Sequence, residues 1–326
     1  TTVSPGDFAN KKFSGLLSVN HSSIDNRFKA AVSVNFVNDT YNLSRNTFAR
    51  ELTSQALTLA PNAPALYDEN GDLNWQNDAS GNYTFWNPLA FLENKYTGTT
   101  ENLIANANLG YELTTGLTFK VGLGYNTMYL REYHITPNAG FPELLWNHGL
   151  RKADSNNSSI KTWITEPQLE YQKVFGKGKL SALVGGTFQE TISQTLVVEG
   201  KGFNSDALLG NLAAASDIRI LDASEIEYRY RAIYGRLNYN HDGKYILNLT
   251  ARRDGSSRFG PRKQYANFGA VGAAWVFSRE KFIKENSFLS YGKLRSSYGS
   301  SGSDQYADYQ FLDVWQPDRF PYQNSI

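Results

Sequence analysis

Four charged residues at the end of one predicted strand are the first candidates for chemistry. They are Arg252, Arg253, Asp254 and Arg258. In one interpretation they form a polar cluster on the wall of a lumen and meet a solute or another domain there. In the other, they form ion pairs that order the loop after the strand. Ion-pair networks are common structural devices, so we favour the second interpretation.

The tryptophans are the second group of candidates, because an indole ring stacks on sugar faces and on apolar side chains. Four of them fall in or near segments without strand periodicity, where we predict ligand-binding loops. These four are Trp75, Trp86, Trp146 and Trp315. Packing against a partner protein, packing within the loops and an aromatic girdle are the alternatives. Trp163 and Trp275 lie within strand patterns, where girdle or sheet packing is expected.

Metal and cofactor sites have little support in the sequence. The four histidines lack metal-ligand spacing, and the chain contains no cysteine. Asp304 and Asp308 are carboxylates that suit calcium, but the residues around them lack the pattern of a calcium loop. We therefore expect no cofactor and no metal.

Hydrolytic chemistry is the remaining enzymatic alternative. A glycosidase needs paired carboxylates on facing strands. Glu166, Glu170 and Glu190 are available, but nothing in their spacing singles them out. The stretch Ser300-Ser-Gly-Ser-Asp304 has no nucleophile elbow and no nearby base motif. We therefore predict that the chain is not an enzyme.

Composition excludes several classes of protein. Among 326 residues, 32 Lys and Arg balance 31 Asp and Glu, so no excess of positive charge points to nucleic acid. Mean hydropathy is −0.47, and no apolar run approaches the ~18 residues of a transmembrane helix. A helical membrane protein is excluded. A membrane β-barrel is not, because its lipid-facing and lumen-facing residues alternate.

The elements that carry these residues are strands with two distinct faces. In the segment 244–254, Tyr245, Leu247 and Leu249 alternate with the polar residues Asn248 and Thr250. Residues i and i+2 of a strand share a face, so the pattern predicts a sheet with one apolar and one polar face. It continues for about ten residues, which is enough to cross a bilayer at a tilt.

The predicted connections alternate in length along the chain. Short turns are predicted near 21–26, 114–116, 176–179 and 241–243, and longer connections at 43–96, 132–157, 200–224 and 254–265. The first long connection contains apolar residues at helical spacing from Phe48 to Leu59, and the third is predicted to hold a short helix around 207–215. Short turns that alternate with long loops are typical of an outer-membrane barrel and not of a β-sandwich.

A series of motifs carries a family resemblance. The stretch LNLTARRDGSSRFG, residues 247–260, resembles the SusC/RagA branch of TonB-dependent outer-membrane transporters. Further motifs occur in the order typical of that family: PNAPALYDENG from residue 61, NPLA from 87, YGRLNY from 234, YANF from 265, GAAWV from 272, EKF from 280 and LRSSYG from 294. Each motif is weak alone, but their common order is improbable by coincidence.

The resemblance implies a fold and a set of partners. The family has a 22-stranded barrel with a plugged lumen, of which residues 1–326 would supply about half the strands. Nothing in the sequence resembles the plug, the TonB box or the closing strand, and both ends look like cuts through a longer polypeptide. The family takes up bulky nutrients, such as oligosaccharides or peptides, across the outer membrane. A SusD-like lipoprotein lids the barrel, TonB acts through the plug, and outer-membrane lipid surrounds the wall.

One non-membrane alternative remains open at this point. The chain is then a soluble or surface-exposed, β-rich carbohydrate-binding module, such as a lectin-like sandwich that binds sugars through its aromatic loops. The two alternatives differ in what covers the apolar faces of the strands. A sandwich presses them together between two sheets, whereas a barrel turns them outward.

Overall fold

The computed structural model describes residues 7–44, 57–261, 263–283 and 290–312. Within these ranges, ten antiparallel strands form one sheet, and their order in the sheet is their order in the chain. This confirms the predicted all-β fold. The strands are β1 Ala9–Ser22, β2 Phe28–Ser44, β3 Lys95–Thr114, β4 Leu117–Thr136, β5 Lys152–Phe175, β6 Gly178–Lys201, β7 Asp217–His241, β8 Tyr245–Ser256, β9 Tyr265–Trp275 and β10 Leu294–Ser300.

The helical elements that lie wholly within the described residues are short and belong to the connections. The α-helix α1 covers Ala90–Glu93, and 3-10 helices cover Asn138–Gly140, Glu143–His148, Asp206–Leu208, Leu212–Ala214 and Phe277–Arg279. Within the described ranges, no helix has the length and apolar character needed to span a membrane.

Strand register aligns the same two faces across the whole sheet. Leu249 on β8 pairs with Leu237 on β7 and Val271 on β9, so these side chains lie on one face, called here the apolar face. Asn248, which pairs with Asn238 and Gly272, lies on the opposite, polar face. On the apolar face, nearly every position within a continuous apolar band is apolar or small. The band comprises alternate residues of 13–19, 28–36, 103–111, 119–125, 163–171, 180–188, 233–239, 245–251 and 269–275.

No other part of the described chain covers the apolar band. Val184 is 59% exposed and Ile233 is 61% exposed. The solvent-accessible area of 22575 Å² far exceeds the roughly 13,500 Å² of a compact globular chain of this mass. Among the described residues there is one sheet and no second sheet packed against it. The two packed sheets that the sandwich alternative requires are therefore not observed there.

The band has the dimensions of a hydrocarbon layer. Nine residues of strand rise about 26 Å along the strand axis and about 20 Å along the normal of a tilted barrel wall, close to the ~25 Å band of outer-membrane barrels. Aromatic residues lie at its edges, with Tyr239, Tyr245 and Trp275 at one edge and Tyr125 and Trp163 at the other. Such girdles are typical of barrel walls at both membrane interfaces.

The alternation of short turns and long loops is confirmed. At one end of the sheet, called here the turn end, strands are joined by 23–27, 115–116, 176–177 and 242–244. At the other, the loop end, the connections are 45–94, 137–151, 202–216 and 257–264. One connection departs from the pattern: residues 276–293, between β9 and β10, form a long connection at the turn end.

Two of the predicted loops are shorter in the structure than predicted. Strand β4 continues to Thr136 and β5 begins at Lys152, so the connection predicted at 132–157 is 137–151; similarly, that predicted at 200–224 is 202–216. Beyond the apolar band both faces of a strand meet water, so apolar and polar residues no longer alternate there. The hydrogen bonds between neighbouring strands nevertheless continue.

The predicted helices have different outcomes. Two 3-10 helices replace the single helix expected at 207–215. The side chains of Ser205 and Asn211 each accept a hydrogen bond from the backbone two residues later, which starts a new turn instead of continuing the first. Most of the helix expected from Phe48 to Leu59 lies outside the described residues.

Candidate ligand-binding surface at the loop end

Two consecutive tight hairpins form the centre of the first long loop. In the first, the Asp68 carboxylate accepts hydrogen bonds from the backbone N–H groups of Asn70 (2.8 Å) and Asp72 (2.9 Å). Gly71 follows with φ of 86°, a conformation that favours glycine. The ten-residue stretch 67–76 is followed by a second copy of the same pattern, 77–86. We did not identify this repeat from the sequence, although the recurring Asp-x-x-Gly spacing signals it.

In the second hairpin, Asp78 takes the place of Asp68. Its carboxylate accepts hydrogen bonds from the backbone N–H groups of Asn82 and Ser80, both at 2.9 Å. These bonds hold the pKa of the Asp78 carboxyl below its ordinary value of 3.8. Gly81 adopts φ of 82°. The two hairpins are thus rigid, charge-assisted turns that present the aromatic residues beside them.

Those aromatic residues converge on Trp86. Its ring contacts Trp75 at 5.3 Å, Tyr83 at 6.0 Å and Phe141 at 6.1 Å between centroids, in edge-to-face geometry. We call these four residues the aromatic cluster. Trp146 lies in the same loop as Phe141 and donates its indole N–H to the Phe141 carbonyl (2.9 Å), while 41% of the residue remains exposed.

Three of the four predicted tryptophans therefore lie in one connected assembly. Trp75 and Trp86 are half-buried within the aromatic cluster, and Trp146 is exposed beside it. The fourth, Trp315, lies outside the residues that the structure describes. The cluster also contains Tyr83 and Phe141, which we did not predict.

Asn87 anchors the loop that carries the cluster. Its side chain is fully buried and donates to the carbonyls of Leu66 (2.6 Å) and Asn74 (3.0 Å), while its amide oxygen accepts from Leu89 N–H (3.0 Å). One side chain thereby joins the base of the first hairpin to the start of α1. This gives the Asn87-Pro-Leu-Ala motif a structural role.

Contacts between loops hold the assembly on the sheet. The Asp206 carboxylate accepts from the N–H groups of Asn138 and Ala139, both at 3.0 Å, and from Arg151 Nε at 2.5 Å. The hydroxyl of Ser44, at the end of β2, donates to the carbonyl of Phe91 (2.5 Å). The connections after β2, β4 and β6 thus form one continuous surface.

Below the loops, the polar face carries a hydrogen-bonded group of side chains around Glu132. Its carboxylate accepts from Tyr41 (2.8 Å), from Asn156 (2.7 Å) and from Tyr96. The neighbouring strands β5 and β6 continue this row of polar side chains with an ion pair between Lys152 and Glu199 (2.9 Å). None of these residues was predicted from the sequence, although strand alternation places all of them on the polar face.

The predicted four-residue charged cluster is divided between the two faces. Arg252 and Asp254 share the polar face and form an ion pair (2.5 Å), with the guanidinium 5.2 Å from the Tyr234 ring centroid. Arg253 lies on the apolar face, where its guanidinium is 5.2 Å from the ring centroid of Tyr265. Consecutive strand residues point to opposite faces, so grouping Arg253 with its neighbours was wrong geometrically.

Arg258 has the loop-ordering contacts that the favoured interpretation predicts. It forms an ion pair with Asp308 (3.1 Å), donates to the Asp304 carbonyl (3.1 Å) and stacks 4.4 Å from the Tyr228 ring centroid. The Tyr228 hydroxyl donates to the Asp304 carboxylate (2.7 Å). The two candidate calcium ligands, Asp304 and Asp308, therefore bind protein groups.

The carboxylates and histidines of the described residues show how a metal site or a glycosidase pair could be arranged. Among the described residues, no group of three or more His, Cys, Asp or Glu side chains is placed to hold a metal ion. Glu166 and Glu170 share the polar face, where Glu170 pairs with Lys120 (2.8 Å). Glu190 lies on the opposite face and accepts from Trp163 and Arg229. The three carboxylates do not face one another.

A concavity of about 1000 Å³ occupies the polar face near the turn end. Charged and amide side chains line it, among them Lys120, Glu166 and Gln168. Gly122 lies within it, where an added Cβ would contact Asn108 and Glu166. The polar face is therefore concave and hydrophilic at this end, as the wall of a lumen is.

One antiparallel meander with an uncovered apolar band, a polar opposite face and long loops at one end has the architecture of a transmembrane β-barrel wall. Comparison with known structures agrees with this class. The fold matches "Structure of the RagAB peptide transporter" with a TM-score of 0.72 and 22% sequence identity, covering 97% of this chain and 35% of that one. A second RagAB structure, in the "open-open" state, gives a TM-score of 0.69 at 21% identity, over 97% of this chain and 35% of the other.

Sequence comparison gives the same class. The chain is 27% identical over 245 residues to TonB-dependent receptor P3 of Formosa agariphila, covering 72% of this chain and 24% of the relative. It is 30% identical over 146 residues to TonB-dependent receptor SusC of Bacteroides thetaiotaomicron, covering 43% of this chain and 14% of SusC. No family model matches the chain. The chain is thus similar in sequence to SusC and other TonB-dependent receptors and similar in fold to RagAB, which agrees with the resemblance that its motifs predict. It spans about a quarter of the length of TonB-dependent receptor P3.

Proposed function

We propose that this chain forms part of the barrel wall of a TonB-dependent outer-membrane receptor that takes up bulky nutrients. The observation that carries the proposal is the apolar band, which the rest of the described chain leaves uncovered. Lipid is the environment that suits such a surface. The relatives are receptors and transporters by name, which agrees with a protein that binds and moves its cargo without covalent chemistry.

The loop-end surface supports a binding role for the tryptophans. Trp146 is the most exposed of the three described ones and would contact cargo directly, whereas Trp75 and Trp86 would hold the surface in shape. Aromatic rings stack on sugar faces and on apolar peptide side chains. We propose oligosaccharides or peptides as the cargo and include Trp315 in the same role.

The two ends of the sheet suggest different partners. Long loops face the exterior in outer-membrane barrels, and short turns face the periplasm. A SusD-like lipoprotein would cover the loop-end surface as a lid. TonB would act from the periplasm through a plug that contacts the polar face, including Arg252 and Asp254.

Growth experiments with the full-length receptor test this function. A strain that lacks the receptor gene is complemented with the wild-type gene, and growth on oligosaccharide or peptide as sole carbon source is measured with and without TonB. We expect growth on one cargo class to require both the receptor and TonB. Trp146→Ala should weaken uptake, while Trp163→Ala, on the apolar face, serves as the matched control. Growth that is independent of TonB would refute the proposal.

A further inference from the structure

Two arginines lie side by side at the edge of the apolar band nearest the loops. On β7, Arg231 is the next residue of the apolar face beyond Ile233, at the loop side of the band. On β8, Arg253 is the next one beyond Ala251. Arg231 pairs with Gly255 and Arg253 pairs with Ile233, so the two arginines are diagonal neighbours on the apolar face. Both arginines therefore lie at the boundary between the apolar band and the polar part of the same face.

Neither arginine has a carboxylate partner among the residues that the structure describes. Two other arginines on the apolar face, nearer the loops, do: Arg131 pairs with Glu101 (3.7 Å), and Arg229 pairs with Glu190 (2.8 Å). Arg231 and Arg253, called here the arginine pair, thus leave two positive charges for an external anion.

Aromatic side chains prepare the site. The Tyr265 ring lies 5.2 Å from the Arg253 guanidinium, a cation–π contact that restrains the arginine. The same ring covers Gly255, where an added Cβ would come within 2.5 Å of it. Phe188 pairs with Arg231 on the other side. The arginine pair is therefore flanked by rings that belong at a membrane interface.

The surface next to the pair suits an acyl chain. Ile233 and Val184 lie just inside the band and are each more than half exposed. An anion that touches both the arginine pair and this surface must have a charged head and an apolar tail. Arginine binds phosphate oxygens with two parallel N–H donors, which gives the head a preferred chemistry.

We propose that Arg231 and Arg253 bind the phosphate of an outer-leaflet lipid headgroup, with the acyl chains of that lipid along Ile233 and Val184. The inference goes beyond nutrient uptake and rests on the proposed outer-membrane location only for the identity of the leaflet. Such a lipid would hold the wall at a fixed depth, beside the loops that carry the cargo surface.

Native mass spectrometry of the full-length receptor tests the proposal. Wild-type receptor in detergent, stripped of lipid, is titrated with bisphosphorylated lipid A. We expect a saturable complex, and Arg231→Gln with Arg253→Gln should weaken its Kd about 30-fold. The double variant Arg131→Gln with Arg229→Gln is the matched control, because it removes two charges from the same face of the sheet, where carboxylates already pair with them. Its Kd should be unchanged.

Two further titrations use only the wild-type receptor, so they hold even if a variant fails to fold. Dephosphorylated lipid A should bind the wild-type receptor about 30-fold more weakly than bisphosphorylated lipid A, and excess inorganic phosphate should not displace lipid A. Absence of a lipid complex, equal binding of dephosphorylated lipid, displacement by phosphate alone, or an unchanged Kd for the folded double variant would each overturn the inference. Membrane fractionation separates the two proposals: a receptor found in the outer membrane without arginine-dependent lipid binding refutes only this one.

Discussion

Single polar side chains position the aromatic cluster at the loop end. Asn87 joins the base of the first hairpin to α1, and the Asp78 carboxylate closes the second hairpin. Neither residue is aromatic, yet Trp75 and Trp86 depend on the backbone that these two side chains fix. The geometry of this part of the cluster is therefore set by a buried amide and a turn carboxylate, and the aromatic residues provide its surface.

Replacing Asn87 with alanine should loosen the loop without unfolding the sheet. The change leaves the Leu66 and Asn74 carbonyls without their buried donor, a loss of about 1–3 kcal/mol in local stability. Faster hydrogen exchange across 63–90 in the full-length receptor is the expected result. Asn70→Ala is the control, because only the backbone N–H of Asn70 makes a hydrogen bond in the hairpin. Equal exchange in both variants would contradict the anchoring role.

The second hairpin should open at acid pH. A carboxyl whose pKa is lowered by folding stabilises the fold above its unfolded pKa, and that stabilisation is lost as pH falls through the folded value. Asp78 should therefore keep the hairpin closed above pH 3.8 and release it at lower pH. A dye on a single cysteine at Ala79 reports the transition, and Asp78→Asn, which retains the acceptor oxygen without its titration, should not show it. A transition that persists in Asp78→Asn would assign it to another group.

Arg258 should order the segment that follows β10. Its contacts with Asp308, Asp304 and Tyr228 join 300–312 to the tips of β7 and β8. Arg258→Ala should increase proteolysis within 300–312 of the full-length receptor and leave the strands protected. Arg219→Ala is a control, since Arg219 forms an exposed ion pair with Asp217 of its own strand and therefore joins no loop to the sheet. Unchanged cleavage in Arg258→Ala would exclude the loop-ordering role.

At the scale of elements, the alternation of apolar and polar residues predicted the strands correctly where they cross the apolar band. It did not predict the parts of the strands that extend beyond the band. Strand β8, for example, is predictable from residues such as Leu247 and Asn248, because its apolar and polar residues alternate there. The tips of β4 and β5 were assigned to a loop, since Ser155, Asn156 and Asn157 give no contrast between faces. Backbone pairing needs no such contrast, so it extends further than the pattern that reveals it.

The candidate site was predictable to a smaller extent. Tryptophan in a loop suggested Trp75, Trp86 and Trp146, but nothing local to the sequence indicates that Phe141 contacts Trp86 across two connections. The Glu132 group likewise depends on the registers of β2, β3 and β5 with one another. Separating Arg253 from Arg252 required only strict use of strand alternation.

The two faces of β8 should respond differently to charge. Leu249→Lys places an ammonium group in the middle of the apolar band and should cost about 2–4 kcal/mol in a bilayer. Asn248→Lys faces the polar side, opposite Gly272, and should cost much less. Denaturant unfolding of the full-length receptor in lipid vesicles measures both. Equal losses of stability would refute the assignment of the faces.

At the scale of the whole molecule, one sheet serves three environments. The apolar band suits lipid, the polar face suits a hydrated lumen, and the connected loops after β2, β4 and β6 form an exposed surface. These roles are separated by strand alternation and by the sorting of turns and loops to opposite ends, not by separate domains. The fold is similar to that of RagAB over 97% of the chain.

Spin-label accessibility along β8 tests the central claim most directly. Residues 1–326 contain no cysteine. Single cysteines at 245–252, introduced into a full-length receptor in which any cysteine outside these residues is replaced and which is reconstituted in lipid vesicles, label defined positions. We predict that collisions with oxygen, which concentrates in lipid, peak at positions 247, 249 and 251, while a water-soluble nickel complex reaches 246, 248 and 250 more readily. Oxygen collisions that are low at all positions, or that peak at the even ones, would show that this face does not meet lipid and would contradict the account.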